Sequence, residues 1–327
     1  MKQRQLGHSG FDVSEVGLGC WQLGGDFGVD FDDKQAFAIL QTAVDKGVTF
    51  FDTADVYGAG KSEKFIGDFL KQSSASIRVA TKFGRGGDVF PDNYTEDALR
   101  QAIAASCERL GVEQLDLLQL HCVPVDVLKQ GDIFNWLRKV QDEGLIRYFG
   151  ASVESVEEAL ICLEQDGLQS LQVIFNIFRQ KLVNELLPKA QQKGVGIIVR
   201  LPLASGLLSG KFKTGTTFST TDHRNFNQNG ECFNVGETFA GLPFAKGVEL
   251  ADELKGLLPQ DISMAQASLR WILDHPAVTT IIPGASSVKQ VADNAAIADL
   301  APLPESTHQQ LAAFYQHKVQ SHIRGPY

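Results

Sequence analysis

Apolar residues along this chain fall alternately into two spacings. Short runs rich in β-branched and aromatic residues, at 48–51, 77–81, 115–120, 146–150, 171–174, 196–201 and 279–282, read as buried parallel strands, with 15–19 ahead of them as the first. Between the runs, apolar residues recur every three or four positions, as on one face of a helix: Phe37, Leu40 and Val44; Phe65, Ile66 and Leu70; Leu99, Ile103, Cys107 and Leu110. Phe134, Leu137 and Val140 continue the series, then Val156, Leu160 and Leu163, and further helical stretches at 186–192, 248–257, 264–273 and 288–298. Ser62 and Thr95 are placed to cap two of these helices, and Gly47, Gly111 and Gly144 to stop three. Eight strand–helix units follow one another with no linker-like break, which predicts a (β/α)8 TIM barrel and one domain over 1–327.

Three segments fall outside the eightfold pattern. Residues 4–13 read as an N-terminal β-hairpin turning on Gly7-His8-Ser9-Gly10. Residues 213–239, after the seventh strand, form a long polar loop with few apolar anchors, and a loop of that length is expected to act as a lid over the mouth of the barrel. The tail beyond Ala301 is read as a helix through Leu311 and Phe314 with an irregular end.

Composition narrows the picture. With 43% hydrophobic residues the chain can bury a large core, and a net charge of −9 argues against nucleic acid or an anionic membrane as partner. No apolar run has the length of a signal-peptide core or a membrane span, so a cytoplasmic location is expected. The five cysteines are odd in number and form no C-x-x-C pair, and the seven histidines make no recognisable metal set; free thiols and no metal are expected.

Candidate chemistry lies at the C-terminal ends of the strands, which converge on one mouth in a barrel. Asp52 follows the second strand, with Tyr57 on the turn after it; Lys82 ends the third and His121 the fourth. Taken singly each has a plainer reading, as a turn cap, a half-buried aromatic, a rim lysine and a packed histidine. Together they form a proton-transfer set. A phenol, with an unperturbed pKa of about 10, can protonate a developing alkoxide when a cation eases loss of its proton. Lys82 would be that cation, Asp52 would hold it charged, and His121 would donate to a substrate oxygen or relay a proton. Ser152, Gln172, Arg200 and the run Pro283-Gly284-Ala285-Ser286 complete the rim. A Rossmann site is excluded, because Gly17, Gly19, Gly24 and Gly25 have the wrong spacing and no acidic ribose ligand follows. Trp21 reads equally as a wall of the site or as core.

The stretches Phe51-Asp52-Thr53-Ala54-Asp55-Val56-Tyr57-Gly58, Ala80-Thr81-Lys82 and Asp116-Leu117-Leu118-Gln119-Leu120-His121 resemble those of the aldo-keto reductase family. So do Gly150-Ala151-Ser152, Pro202-Leu203-Ala204-Ser205-Gly206 and Ile282-Pro283-Gly284-Ala285-Ser286, in the right order over nearly the whole chain. The resemblance implies NADPH-dependent reduction of a small carbonyl substrate, with Asp52, Tyr57, Lys82 and His121 as the catalytic tetrad. For the cofactor it implies Ser152 and Gln172 at the carboxamide, and Leu203, Ser205 and Lys211 around the pyrophosphate. Arg224 would close over it, while Gly284, Ser286, Gln290, Asp293 and Asn294 would take the adenosine 2′-phosphate end, where a helix N-terminus suits an anion. It also implies two alternatives: a cofactor-sensing module like the potassium-channel β subunits, and physiological oxidation of an alcohol or polyol.

The chain departs from the family pattern in places. Val153 stands for the usual Asn, and Gly284 and Gln290 for basic residues at the 2′-phosphate, which leaves NADP preferred over NAD on weaker grounds than the fold. Arg200 stands where an aromatic usually stacks on the nicotinamide. It would either stack there and disfavour the cationic oxidised ring, or turn away to pair with a phosphate or carboxylate.

Overall fold

The structure is a computed structural model that describes residues 1–28 and 30–327. Its chain runs β1 (Gln3–Gln5), β2 (Asp12–Ser14), β3 (Leu18–Gly19), α1 (Asp33–Asp45), β4 (Phe50–Asp52), α2 (Lys61–Leu70), β5 (Arg78–Phe83), α3 (Glu96–Leu110), β6 (Leu115–His121), α4 (Val125–Gln130), α5 (Asp132–Asp142) and β7 (Ile146–Ser152). It continues through α6 (Val156–Leu163), β8 (Leu168–Ile174), α7 (Leu186–Lys193), β9 (Gly196–Arg200), α8 (His223–Phe226), α9 (Phe244–Leu254), α10 (Met264–Leu273), β10 (Val278–Ile281), α11 (Val288–Ala295) and α12 (Glu305–Phe314). Strands β3 to β10 form one eight-stranded parallel sheet in sequence order, and parallel bridges from Val16 to Ile281 and from Gly19 to Gly284 join its two ends. The fold is the expected (β/α)8 barrel.

Period-two alternation decides what each strand shows to the lumen. On β4, Phe50 packs inside the barrel with Ala80, Leu117, Ile198 and Ile282, while Phe51 packs outward among the helices. The antiparallel hairpin β1–β2 closes the bottom of this lumen by driving Leu6, Phe11 and Val13 into the inner cluster. One more step along each strand brings the next inward residue to the upper rim. Leu117 is inside, Leu118 and Leu120 face the helices, so Gln119 and His121 face the lumen. The register sets His121 beside Ser152 and Ser152 beside Gln172, and the rim residues form a ring.

Several local expectations need correction. Ser62 is not a helix cap: α2 starts one residue earlier, after Gly60 at φ 91°, and the Ser62 hydroxyl lies buried inside the first turn, donating to the Cys20 carbonyl. Thr95 does cap its helix, accepting from the Ala98 amide. The helix α4, capped by no side chain, is an element the periodicity misses because it is too short to show one. The segment 213–239 is not an open polar loop. It holds α8 and two further turns, and Phe218 and Phe239 pack with Phe212 and Phe244 at ring distances of 4.9 to 5.9 Å. Among the described residues no helix is long and apolar enough to cross a membrane.

Candidate active site

Asp52, the last residue of β4, and Lys82, one from the end of β5, are both buried and meet inside the upper rim. Lys82 Nζ donates to Asp52 Oδ1 at 2.7 Å, to the Thr53 carbonyl at 2.7 Å and to the Tyr57 hydroxyl at 3.3 Å. Asp52 Oδ2 takes Gln172 Nε2 at 2.6 Å and Gln119 Nε2 at 3.2 Å, so one carboxylate organises residues from three other strands. Gln119 is a member the sequence reading missed; its position two before His121 on an alternating strand was the available signal. Burial works against the Lys82 ammonium, yet Asp52 and Tyr57 beside it hold its pKa above the ordinary value.

Tyr57 is set by the turn after β4. Gly58 there lies against Gly24 of the first barrel loop: a Cβ on Gly58 would fall 2.5 Å from the Gly24 carbonyl oxygen, and one on Gly24 would fall 2.7 Å from the Gly58 amide. Only glycine at both places lets the loops close, and the closure stacks Trp21 on Tyr57 at 5.8 Å. Burial, opposed by Lys82 and reinforced by Asp52, leaves the phenol pushed up to about 12. Tyr57 is therefore not already acidified by its neighbour. His121 stands edge-on to the Tyr57 ring at 5.9 Å, and burial, followed by Lys82 and Arg85, holds its pKa well below the usual imidazole value. It is a neutral imidazole, with Nδ1 lacking a hydrogen-bond partner among the described residues.

These groups open onto a cavity of ≈ 200 Å³. Asp52, Tyr57, His121, Trp21, Ser152, Gln172, Arg200 and Gly284 all line it, and its outer wall is aromatic, from Phe27, Phe226 and Phe233. The remaining residues expected at the cofactor lie away from this cavity. Lys211, Ser286, Gln290 and Asp293 are exposed, while Leu203 and Asn294 are half-buried. The Ser286 amide and hydroxyl both donate to Gln290 Oε1, and Asp293 pairs with Lys289, a basic residue at this helix start that the sequence reading passed over. Ser205 and Arg224 are committed inside the protein. The Ser205 hydroxyl donates to the Glu237 carbonyl and accepts from the Phe239 amide, and Arg224 binds Asp222 against the Phe218 and Phe27 rings. Arg224 thus already has an acidic partner within the segment 213–239.

Arg200 turns its guanidinium toward a carboxylate while still lining the cavity. It lies buried at the cavity wall with NH1 at 3.3 Å from Glu237 Oε2, and it donates to the Val153 carbonyl at 3.1 Å. Glu237 also takes Arg85 at 2.8 Å, and Glu154 takes Arg85 at 3.1 Å. Neither glutamate nor Arg85 was singled out in the sequence, where Arg85 lies 152 positions from Glu237 and 69 from Glu154. Among the described residues Cys122, Glu154 and Glu237 bring potential metal ligands within 4.8 Å, but Arg85 and Arg200 already hold both carboxylates, so the group is an ion-pair network.

The segment 213–239 lies over this mouth as a strap. Phe27 and Asp222 form an antiparallel bridge, the His223 amide donates to the Asp26 carbonyl at 2.8 Å, and His223 packs on Trp21 and Phe27 at 4.8 and 4.4 Å. From the far end of the chain Arg324 reaches back to Asn229 Oδ1 and to the carbonyls of Gln228, Gly241 and Leu242.

Comparison with known proteins agrees with the geometry. The model of the aldo/keto reductase family matches residues 15–316. An uncharacterized oxidoreductase of Bacillus subtilis, YqkF, is 28% identical over 98% of this chain and 97% of its own. A probable voltage-gated potassium channel β subunit of Arabidopsis thaliana is 29% identical over 93% of each chain. Among solved structures, the holo form of an aldo-keto reductase from Bacillus halodurans superposes with a TM-score of 0.75 at 28% identity, covering 100% of this chain and 98% of the other. The glycerol dehydrogenase of Gluconobacter oxydans gives 0.79 at 26% identity, with the same coverage.

Proposed function

Because this chain belongs to the aldo-keto reductase family, we propose that it reduces an aldehyde or ketone to the alcohol with NADPH, using Tyr57 as proton donor. The observation that carries the reading is the buried chain Asp52–Lys82–Tyr57 opening beside neutral His121 into an aromatic-walled cavity. The rim fits a nicotinamide. Ser152 and Gln172 offer a hydroxyl and an amide side by side, and the buried atoms His121 Nδ1 and Arg200 Nε lack partners among the described residues. Bound NADPH supplies the hydride.

The protein's own part is the proton. As the carbonyl carbon gains hydride, its oxygen takes the Tyr57 proton, and the phenolate left behind faces the Lys82 ammonium at 3.3 Å. Burial alone disfavours that phenolate; Lys82 is the group that offsets it, and Asp52 keeps Lys82 charged and aimed. Neutral His121 orients the substrate oxygen without adding a second charge. Leu203, Lys211, Gly284, Ser286, Gln290, Asp293 and Asn294 are proposed along the rest of the cofactor, with Lys289 added at the phosphate end. Ser205 and Arg224 would join only after giving up their internal partners.

The test is loss of NADPH absorbance with a panel of simple aldehydes and ketones, for wild type and Tyr57→Phe. Turnover that falls about 10²-fold or more in Tyr57→Phe, with NADPH still bound, supports the reading. Turnover unchanged in that variant removes Tyr57 as donor. The match to a channel β subunit favours one alternative, a cofactor sensor, which would bind NADPH and turn over no carbonyl. The similarity to a glycerol dehydrogenase makes alcohol oxidation with NADP⁺ the second arm of the same assay.

A further inference from the structure

We propose that Glu237 sets the protein's relative affinity for oxidised and reduced nicotinamide by masking the charge of Arg200. The inference rests on the NADP(H) reading above and concerns which redox state the site prefers. Arg200 is the last residue of β9 and lines the same cavity as Ser152 and Gln172. A bare guanidinium there would repel the cationic ring of NADP⁺ and leave the neutral ring of NADPH alone.

Arg200 is not bare. Its NH1 lies 3.3 Å from Glu237 Oε2, and Glu237 is its one acidic partner among the described residues. Its other hydrogen bonds go to uncharged groups, the Val153 carbonyl at 3.1 Å and Cys122 Sγ at 3.6 Å, and Nε has no partner among the described residues. Arg85 has two acidic partners, Glu237 and Glu154, so it does not depend on Glu237 alone. Both ends of the Arg200–Glu237 pair are largely out of water, with side chains 11% and 7% exposed, and solvent can do little to screen either charge if the other is lost. The two also come from different parts of the molecule, Arg200 from the rigid barrel and Glu237 from the strap. The strap therefore carries the counter-charge, and whatever lifts it unmasks Arg200 and disfavours the oxidised cofactor.

The experiment measures dissociation constants of NADPH and of NADP⁺, by fluorescence and calorimetric titration, for wild type, Glu237→Gln, Arg200→Met and the double variant. In Glu237→Gln the ratio Kd(NADP⁺)/Kd(NADPH) is expected to rise about tenfold, the scale of one partly screened charge at the same cavity. In Arg200→Met it is expected to fall below wild type, since the acidic partner now outlasts the cation. In the double variant it returns to near the wild-type value. A strap that merely loosens would weaken both cofactors together and leave the ratio unmoved. The same ratio in wild type and both single variants overturns the proposal, and so does a rise that persists in the double variant; either result leaves the reductase reading standing. Failure of wild type to bind either cofactor overturns both. If Glu237→Gln does not fold, the shift in Arg200→Met alone decides.

Discussion

At the scale of single residues, the site is an exercise in keeping charges paired where water is scarce. Lys82 and Asp52 have side chains 0% and 4% exposed, and each would be costly alone. Lys82→Met removes the group that opposes the rise in the Tyr57 pKa, so the phenol titrates above its present value of about 12. Carbonyl reduction is expected to fall about 10²-fold or more, with any alkaline limb of the pH–rate profile moved to higher pH. A profile that keeps its shape would make Lys82 structural. For His121 burial, followed by Lys82 and Arg85, depresses the pKa, so the ring is neutral at and above the ordinary imidazole value. The limb that belongs to it is expected on the acid side of that ordinary value, about 6.5. A limb at or above the ordinary value that vanishes in His121→Gln would show the ring to be charged there.

Elements hold these residues in place, and the strap is the one whose hold can be altered separately. Its packing rests on phenylalanines 218, 226, 233 and 239, on the bridge to Phe27 and on Arg324. Arg324→Ala removes four side-chain hydrogen bonds, two to the strap and two to the Gly241 and Leu242 carbonyls just after it, without touching the cavity. Limited proteolysis within 213–239 is expected to speed up about tenfold, the ratio that the loss of one net hydrogen bond or two would give. Cleavage at the wild-type rate would place the hold elsewhere. A second element is tied by shape alone. Gly67 of α2 lies so close to α3 that a Cβ would fall 2.2 Å from the Arg109 carbonyl oxygen. Gly67→Ala is expected to lower stability by roughly 1–3 kcal/mol in chemical denaturation, although alanine is the better helix former by about 1 kcal/mol. A stabilised variant would mean that the two helices separate easily.

For the whole molecule, the barrel shell and its helices are one packed body, and its C-terminal side is clipped by a carboxylate. Asp274, just after α10, accepts from Arg270, from the Leu303 amide at 2.9 Å and from His308 at 3.1 Å, joining α10 to α12 and the segment before it. Burial pushes its pKa up, but these donors hold it below the ordinary value. A carboxyl with a depressed folded-state pKa contributes stability above its unfolded value of about 3.9 and loses it as pH falls through the folded value. Asp274→Asn is therefore expected to destabilise the protein most at neutral pH, with the two denaturation midpoints converging in acid. A gap that does not depend on pH would assign the loss to hydrogen-bond geometry rather than charge.

What the chain determined by itself is the part that repeats locally. Strand runs and helical stripes need only neighbours within a few positions, so eight units, their order and the glycine stops were all legible. Closure of such a barrel brings strand ends together whatever the side chains are, which is why Asp52, Lys82, His121, Ser152 and Gln172 could be placed on one rim before any distance was known. Alternation would have added Gln119 by the same logic. Only the tertiary structure decided where Arg200 turns, that Arg224 and Ser205 are spent on internal partners, and that the segment 213–239 is packed rather than open. The turn of Arg200 and the seating of the strap both depend on contacts between that loop and the barrel rim, such as Glu237 with Arg85 and Arg200. A periodicity cannot encode such a contact. It depends on which of several possible charge and aromatic partners the closed barrel brings within reach, and that is known only once the whole chain has folded.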